Sequence, residues 1–542
     1  MKPYYLGVDV GTGSVRAGVF DASGQLLGVG RKDIKIWRAP TDRVEQSAQN
    51  IWESVIASVR TAVQKAGIDA QSIAGIGFDA TCSLVVLDPA GNPMAVGPEA
   101  DPARNVIVWM DHRALDQTAR INATGHRVLQ YVGGAISPEM QTPKLLWLKE
   151  NLPKTYASAG HFFDLSDYLT YRATGSLTRS ICALACKWTY LAHEGRWADD
   201  FFCEIGLSDL SHNNHARIGN DVIAPGAAIG QGLTPQAAAE LGLAPGIKVG
   251  ASLIDAHAGA LGTMGGRDGQ GQPLDPFARM ALIVGTSACC MTFAPTATFI
   301  PGLWGPYFAA IVDEYWLTEG GQSAAGAAVD YFIATHPKAY DGQGNLRDGL
   351  FAQLEAHACA ESKSLSHVAL KARDLHILPD INGNRSPLAD PHMRGMMVGI
   401  GMDDSEEGLA RLYCAALCGL AHGIADIVDQ QVQYGLDQLN TIVISGGLAK
   451  SALVRQIIAD ATGCKVALPA CEEPVLLGSA MLGAVAHGRY ANLQDAMLAM
   501  SRDKAESLPV KGKIARFHKQ KRRISKMMQQ LDRKSRAIMR PF

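Results

Sequence analysis

Several common protein classes are excluded by what this 542-residue sequence lacks. Acidic and basic side chains nearly cancel, 52 against 50, leaving a net charge of -2. There is no global field to draw nucleic acid or an anionic membrane, so neither is expected as a partner. No stretch reads as apolar for the length of a bilayer span. Met1 to Asp9 runs into a strand-like segment without the apolar core and cleavage site of a signal peptide, and a cytoplasmic protein is expected. The 11 cysteines are odd in number and show no finger spacing. Cys182 and Cys186 lie four apart without a partnered pair downstream, and with Cys414 and Cys418 they sit in apolar helical runs, so they read as reduced core residues. Cys289 and Cys290 read as strand neighbours facing opposite sides. No G-x-x-x-x-G-K-[ST] loop occurs, and Gly11-Thr12-Gly13-Ser14-Val15-Arg16 departs from the dinucleotide fingerprint at its last position.

What is present is a well-packed composition, 47% hydrophobic and 19% charged, in a chain long enough for two to four domains at roughly one per 150 residues. Two stretches repeat one device. Leu6 to Val10 and Leu282 to Val284 are apolar runs that end in small-residue turns, Gly11-Thr12-Gly13-Ser14 and Gly285-Thr286-Ser287, and β-prone runs follow at Val15 to Phe20 and Ala288 to Phe293. Both read as β-hairpins whose tips expose backbone N–H groups and hydroxyls, as a phosphate cradle requires. Either tip alone also reads as an ordinary tight turn. Asp9 favours the cradle, because a carboxylate beside a phosphate needs a divalent cation between them, and this points to a metal nucleotide.

Strand and helix alternate along the chain, which predicts an α/β architecture. Ala48 to Ala66 has a helical stripe at Ile51, Val55, Val59 and Val63. Ile73 to Asp79 reads as a buried strand ending at the polar cluster Asp79-Ala80-Thr81-Cys82-Ser83, where open α/β sheets place ligands. Further polar clusters are Trp109-Met110-Asp111-His112-Arg113 and the cation Lys187 in an apolar setting. Residues 251–262 (ASLIDAHAGALG) form an apolar strand ending in Asp255. The Gly-rich segment 262–279 reads as a linker. Beyond it, a helix over 406–432 leads to a strand at 439–445, and Gly446-Gly447 then opens a helix over 451–462, an anion- and ribose-friendly corner that Gly478-Ser479 echoes. The basic tail from Lys511 to Arg540 reads as a solvated amphipathic helix, with Phe517, Ile524, Met528 and Leu531 as its apolar stripe.

Asp9-Val-Gly11-Thr12-Gly13-Ser14-Val-Arg16, the acid of GASLIDAHAG, the GTS tip at 285–287, ISGGLAKS at 444–451 and EPVLLGSAMLGA at 473–484, in that order over nearly the whole chain, resemble the FGGY carbohydrate kinases. The strings GFDATCSLV at 77–85 and NGNRSPLADP at 382–391 are most similar to the pentulose kinases of that family, in particular those that act on D-ribulose. The resemblance implies two ribonuclease-H-like, actin/hexokinase-type domains around a catalytic cleft, with boundaries at 1–265 for sugar and base, 280–500 for nucleotide, and 501–542 for the tail. It implies ATP and Mg²⁺ as cofactors, with Asp9 on the metal through water, and Gly11, Thr12, Gly13, Ser14, Arg16, Gly285 and Thr286 around the phosphates. Gly446, Gly447, Gly478 and Ser479 would border the adenosine, and Asp255 would be the general base. Asp79, Thr81, Cys82, Trp109, Asp111, Arg113, Lys187 and Glu319 would contact the sugar beside Asp255. The implied reaction is phosphorylation of the C5 hydroxyl of a ketopentose, D-ribulose first, with L-ribulose, D-xylulose and ribitol as alternatives. A homodimer is one expectation for the assembly. An actin-like ATPase or a sugar-binding regulator stays open beside it. Asp255 discriminates, since a sugar kinase needs a carboxylate at the acceptor hydroxyl, although Asp before small helical residues is also a good helix cap.

Overall fold

The computed structural model describes residues 2–39, 43–360 and 362–540. Its two halves are built on one plan. In the first, β1 (Tyr4–Val10) and β2 (Ser14–Asp21) form the expected hairpin, β3 (Leu26–Asp33) continues it antiparallel, and β4 (Ile73–Ala80) and β5 (Lys248–Val249) add in parallel on the other side. A short strand, β6 (Leu253–Ile254), also pairs with β4. The second sheet repeats this with β7 (Arg279–Val284), β8 (Ala288–Ala294), β9 (Trp304–Phe308), β10 (Trp316–Gln322), β11 (Thr441–Ser445) and β12 (Lys465–Pro469) in the order β9-β10-β8-β7-β11-β12. β1 and β7 are buried almost throughout, which explains why their sequences are continuously apolar rather than alternating.

Helix α1 (Ala48–Ala66) starts where Ser47 caps the N–H of Asn50 and stops at Gly67 in the left-handed region. Its buried stripe covers β2 and β3. A small antiparallel sheet of Trp37–Arg38, Val44–Gln46, Val106–Ile107, Leu84–Leu87 and His161–Asp164 elaborates the first half. Helix α2 (Ile181–Lys187) and helix α3 (Asp255–Thr263) line the cleft side of that half. In the second half, α4 (Glu406–Gln433) and α5 (Ala452–Thr462) flank the sheet. Contrary to expectation, α4 is long and apolar enough to cross a membrane. Its 18-residue apolar window has a mean hydropathy of 1.4 and is 83% buried inside the protein, so core packing accounts for the composition.

The halves are joined back to back by α3 and α6 (Pro474–Ala486). α6 follows β12 in the chain but lies on β1 and β4 of the first sheet. The contact is backbone to backbone: a Cβ added to Gly7, Gly75 or Gly77 would sit 2.0 Å from the carbonyl oxygen of Leu476, Gly483 or Ser479. The α3–α6 crossing is as close, with a Cβ on Gly478 falling 1.9 Å from Ala258 O and one on Gly262 2.0 Å from Pro474 O.

The tail departs from expectation. β13 (Asp503–Ser507) pairs with β12 and extends the second sheet past residue 500, and helix α7 (Lys513–Met539) docks on α4 and α5 through Ile514, His518, Lys521 and Met528. Leu531, expected in the buried stripe, is exposed because the docked face runs through Ser525 and Asp532 instead.

Candidate active site

Strand register gathers the acids. Asp9 stands opposite Asp79 in the parallel β1–β4 pair, and Ile254 stands opposite Ala80, so the next residue, Asp255, emerges beside them as the first residue of α3. Asp9 and Asp79 are buried, and Asp255 is half-buried. Asp255 is not the helix cap, which is Ile254; its Oδ1 accepts from the Ala256 N–H at 2.7 Å. Burial, then the Asp9 carboxylate, push the Asp255 carboxyl up to about 6. Burial and Asp9 also raise Asp79, whose Oδ2 accepts from Ser479 Oγ while Oδ1 has no partner. Asp9 is ion-paired to Arg16, with Nε donating to Oδ2 at 2.9 Å, and Arg16 reaches on to Glu473 at 2.6 Å.

Asp9, Arg16 and Asp255 open into a cleft of about 510 Å³ between the halves. The two hairpin tips face into it, Gly11 to Ser14 from one half and Gly285 to Ser287 from the other. A Cβ on Gly13 or Gly285 would meet nothing within 4 Å, so the backbone there is open to a ligand. The first tip is tied down by Trp109, whose Nε1 donates to Thr12 Oγ1 at 2.9 Å, and the second by the Ala325 and Ala327 N–H groups donating to Thr286 O.

The far wall carries Thr81, Cys82, Trp109, Lys187 and Glu319. Lys187, half-buried, has its Nζ 5.8 Å from the centre of the Trp304 ring and makes no hydrogen bond or ion pair among the described residues. Glu319 Oε2 lacks a hydrogen-bond partner and lies 3.5 Å from His257 Nε2. Burial alone would raise the Glu319 carboxyl, but Lys187 and His257 outweigh it and hold it down at about 2. Burial pushes the Cys82 thiol up to about 12, so it is a neutral wall group. A cation and a carboxylate across one small cavity suit hydroxyl-bearing ligands, which offer donors and acceptors together.

Other expected residues stay outside this lining. Asp111 and Arg113 form a buried brace, with Arg113 paired to Asp111 at 2.7 Å and Glu45 at 2.8 Å, and Asp111 accepting from Val44 N at 2.6 Å. They hold the turn that presents Trp109. Asp79 lies beneath the floor, bonded to Ser479. Gly478 and Ser479 are buried in the α3–α6 and α6–β4 contacts and border no open space for adenosine. Gly446 and Gly447 are exposed on the turn after β11. Gly446 has φ 94° and lies against the Val284 backbone, which demands glycine there. Four lining or supporting residues carried no assigned role in the sequence: Glu139, Trp304, Arg385 and His257. Arg385 Nη2 lies 3.4 Å from Glu139 and its guanidinium 5.2 Å from the Trp304 ring centre, bridging the halves. Arg385 and His257 fall inside motifs already singled out, NGNRSP and GASLIDAHAG. Cys289 lines the cleft while Cys290 is buried in the second core, as their alternation predicted.

Duplicated β-hairpins facing each other over an acid-floored cleft define a two-domain protein of the actin/hexokinase type. The N-terminal domain of the FGGY family of carbohydrate kinases matches residues 4–262 and its C-terminal domain matches residues 280–487; the chain belongs to this family. It is similar to an FGGY carbohydrate kinase domain-containing protein from Homo sapiens, 47% identical over 520 residues covering 92% of this chain and 91% of the relative. A D-ribulokinase from Saccharomyces cerevisiae is 37% identical over 514 residues, covering 89% of this chain and 72% of that protein. The crystal structure of xylulose kinase from Rhodospirillum rubrum shares the fold, with a TM-score of 0.79 at 20% identity over 99% of both chains.

Proposed function

We propose that this carbohydrate kinase transfers the γ-phosphoryl group of ATP to the terminal C5 hydroxyl of a ketopentose, with D-ribulose preferred. The observation that carries the reading is one cleft lined by Asp255, the two open hairpin tips, Lys187 and Glu319. Asp255 takes the hydroxyl proton as the oxygen attacks the γ-phosphorus and ADP leaves, and a carboxyl raised to about 6 is ionised yet basic at neutral pH. Lys187 donates to sugar hydroxyls and Glu319 accepts from them, which aligns the attacking oxygen. Thr12, Gly13 and Thr286 hold the phosphates. Closure of the halves on the bound ligands excludes water.

The residues fit Mg²⁺. Among the described residues no group of three His, Cys, Asp or Glu side chains forms a metal cage, and Mg²⁺ takes one or two protein carboxylates, keeping waters and substrate phosphates as its other ligands. Asp9, with Asp79 crowding it from behind, supplies such a carboxylate. The ion would neutralise charge on the β- and γ-phosphates.

The preference for D-ribulose is supported by the 37% identity to a D-ribulokinase and by the small polar wall at Thr81 and Cys82. An acceptor of the wrong configuration leaves buried groups unpaired, worth about ten- to a hundredfold per hydroxyl. Comparing kcat/KM for D-ribulose, L-ribulose, D-xylulose, ribitol and glycerol with ATP tests this. D-ribulose should lead; another best acceptor overturns the substrate, and turnover of none overturns the kinase reading.

A further inference from the structure

Behind Glu319 runs a buried chain of side chains that the proposed chemistry does not use. Cys182 Sγ lies 3.1 Å from His257 Nδ1, and His257 Nε2 lies 3.5 Å from Glu319 Oε2. The sulfur also accepts from the Ile254 N–H at 3.4 Å. Each member belongs to an element that delivers a cleft residue. Cys182 is on α2, which ends at Lys187; His257 is on α3, which begins at Asp255; Glu319 is on β10 of the other half. The ring therefore sits where all three supports of the sugar wall meet.

Two proton arrangements satisfy these contacts. Either the thiol donates to Nδ1 and Nε2 carries a proton, or a thiolate faces a doubly protonated ring. In both, the Nε2–H points at Glu319, so Cys182 decides the ring's orientation and the identity of its donor. Charge favours the second. Burial would raise the Cys182 thiol and lower His257, but Cys186 beside the sulfur, the mutual contact of the pair, and Glu319 beside the ring bring the thiol down and the ring up. The other charged groups facing this cluster are Lys187, Asp255 and, beyond Glu319, Arg385.

We propose that His257, locked by Cys182, is a positioning residue that holds the Glu319 carboxylate ionised and aimed at the sugar. This rests on the sugar-kinase reading. Without the ring, Glu319 is left with Lys187 as its main counter-charge and Arg385 beyond it, and it turns toward Lys187, closing the gap that receives the sugar.

The test compares full-length His257→Leu, His257→Gln, Cys182→Ala and Cys182→Ser with the parent, measuring KM for sugar, KM for ATP and kcat. Loss of one charge-assisted partner predicts a sugar KM raised about 10- to 100-fold in His257→Leu, with the ATP KM within about twofold. His257→Gln, whose amide N–H reaches the Nε2 position, should recover most of it. Cys182→Ala should raise the sugar KM and Cys182→Ser less so, and these small changes keep the measurement available if His257→Leu does not fold. An unchanged sugar KM in His257→Leu and Cys182→Ala, equal rises for sugar and ATP, or a Gln variant no better than Leu would overturn the assignment while leaving the kinase standing. A parent that phosphorylates no sugar would overturn both.

Discussion

Replacing Asp255 with Asn should cut turnover sharply and stabilise the protein at once. The Asn Oδ1 can keep the 2.7 Å bond from the Ala256 N–H, so the start of α3 is preserved while the proton acceptor is lost. Loss of a general base predicts a fall in kcat of about 10²- to 10⁴-fold. The stability change follows from the carboxyl's rise from 3.8 to about 6 on folding. A raised carboxyl binds its proton more tightly in the folded state, so its favourable contribution is present at low pH and disappears as pH climbs from about 4 through about 6. At neutral pH the folded protein therefore carries a half-buried charge it would hold more easily as the acid, a cost of about 3 kcal/mol for two pH units at 1.36 kcal/mol each. Asp255→Asn should recover stability of that order at pH 7 and lose the advantage below about pH 4. Urea unfolding at both pH values, with kcat measured alongside, reads out both halves. A variant with parental kcat, or one that is less stable at pH 7 by the ~1 kcal/mol of a lost helix cap, would refute the reasoning.

Three further outcomes follow from other parts of the molecule. Asp9→Ala should severely depress MgATP turnover while sugar affinity is retained, and wild-type rates across a magnesium titration would remove Asp9 from the metal. Gly478→Ala should lower stability by about 1–3 kcal/mol through the clash with Ala258 O, read as a drop in Tm; an unchanged Tm would show that α3 and α6 can separate cheaply. On α7, burial first and then the neighbouring Lys521 hold His518 down at about 4, and burial with His518 keeps its 3.2 Å partner His422 well below its usual range. Stability from this neutral pair is full above about pH 6.5 and is lost as pH falls toward about 4, so hydrogen exchange at pH 5 should show α7 loosening before either sheet, and His518→Phe should flatten that dependence.

The elements legible in the sequence were those whose cause is local. Ala48–Ala66 was read to the residue because its apolar stripe lies within it, and both hairpins were read from their tips. Asp255 was legible because an acid follows an apolar strand. Ser479 was misread for the complementary reason: a Gly-Ser pair near a helix start looks like a phosphate corner, and nothing nearby reveals that its hydroxyl is committed to Asp79, 400 residues away. Asp111 and Arg113 likewise look like cleft residues until Glu45 and Val44 are folded against them. Arg385 and His257 sat in quoted motifs, but their partners Glu139 and Glu319 lie on the opposite half.

The seating of α6 on the first sheet has a consequence for how the protein is made. β1 and β4 receive the covering helix for one face from residues 474–486, more than 390 positions after β4 ends. A nascent chain that has delivered everything up to residue 265 still exposes the glycine-lined face of its first sheet, so that half cannot complete its core until the second half has left the ribosome. Folding is committed late, both halves maturing together. A fragment ending at 265 should accordingly be digested quickly by protease and acquire resistance when residues 266–542 are supplied in trans; a resistant fragment would show that the first sheet closes without α6.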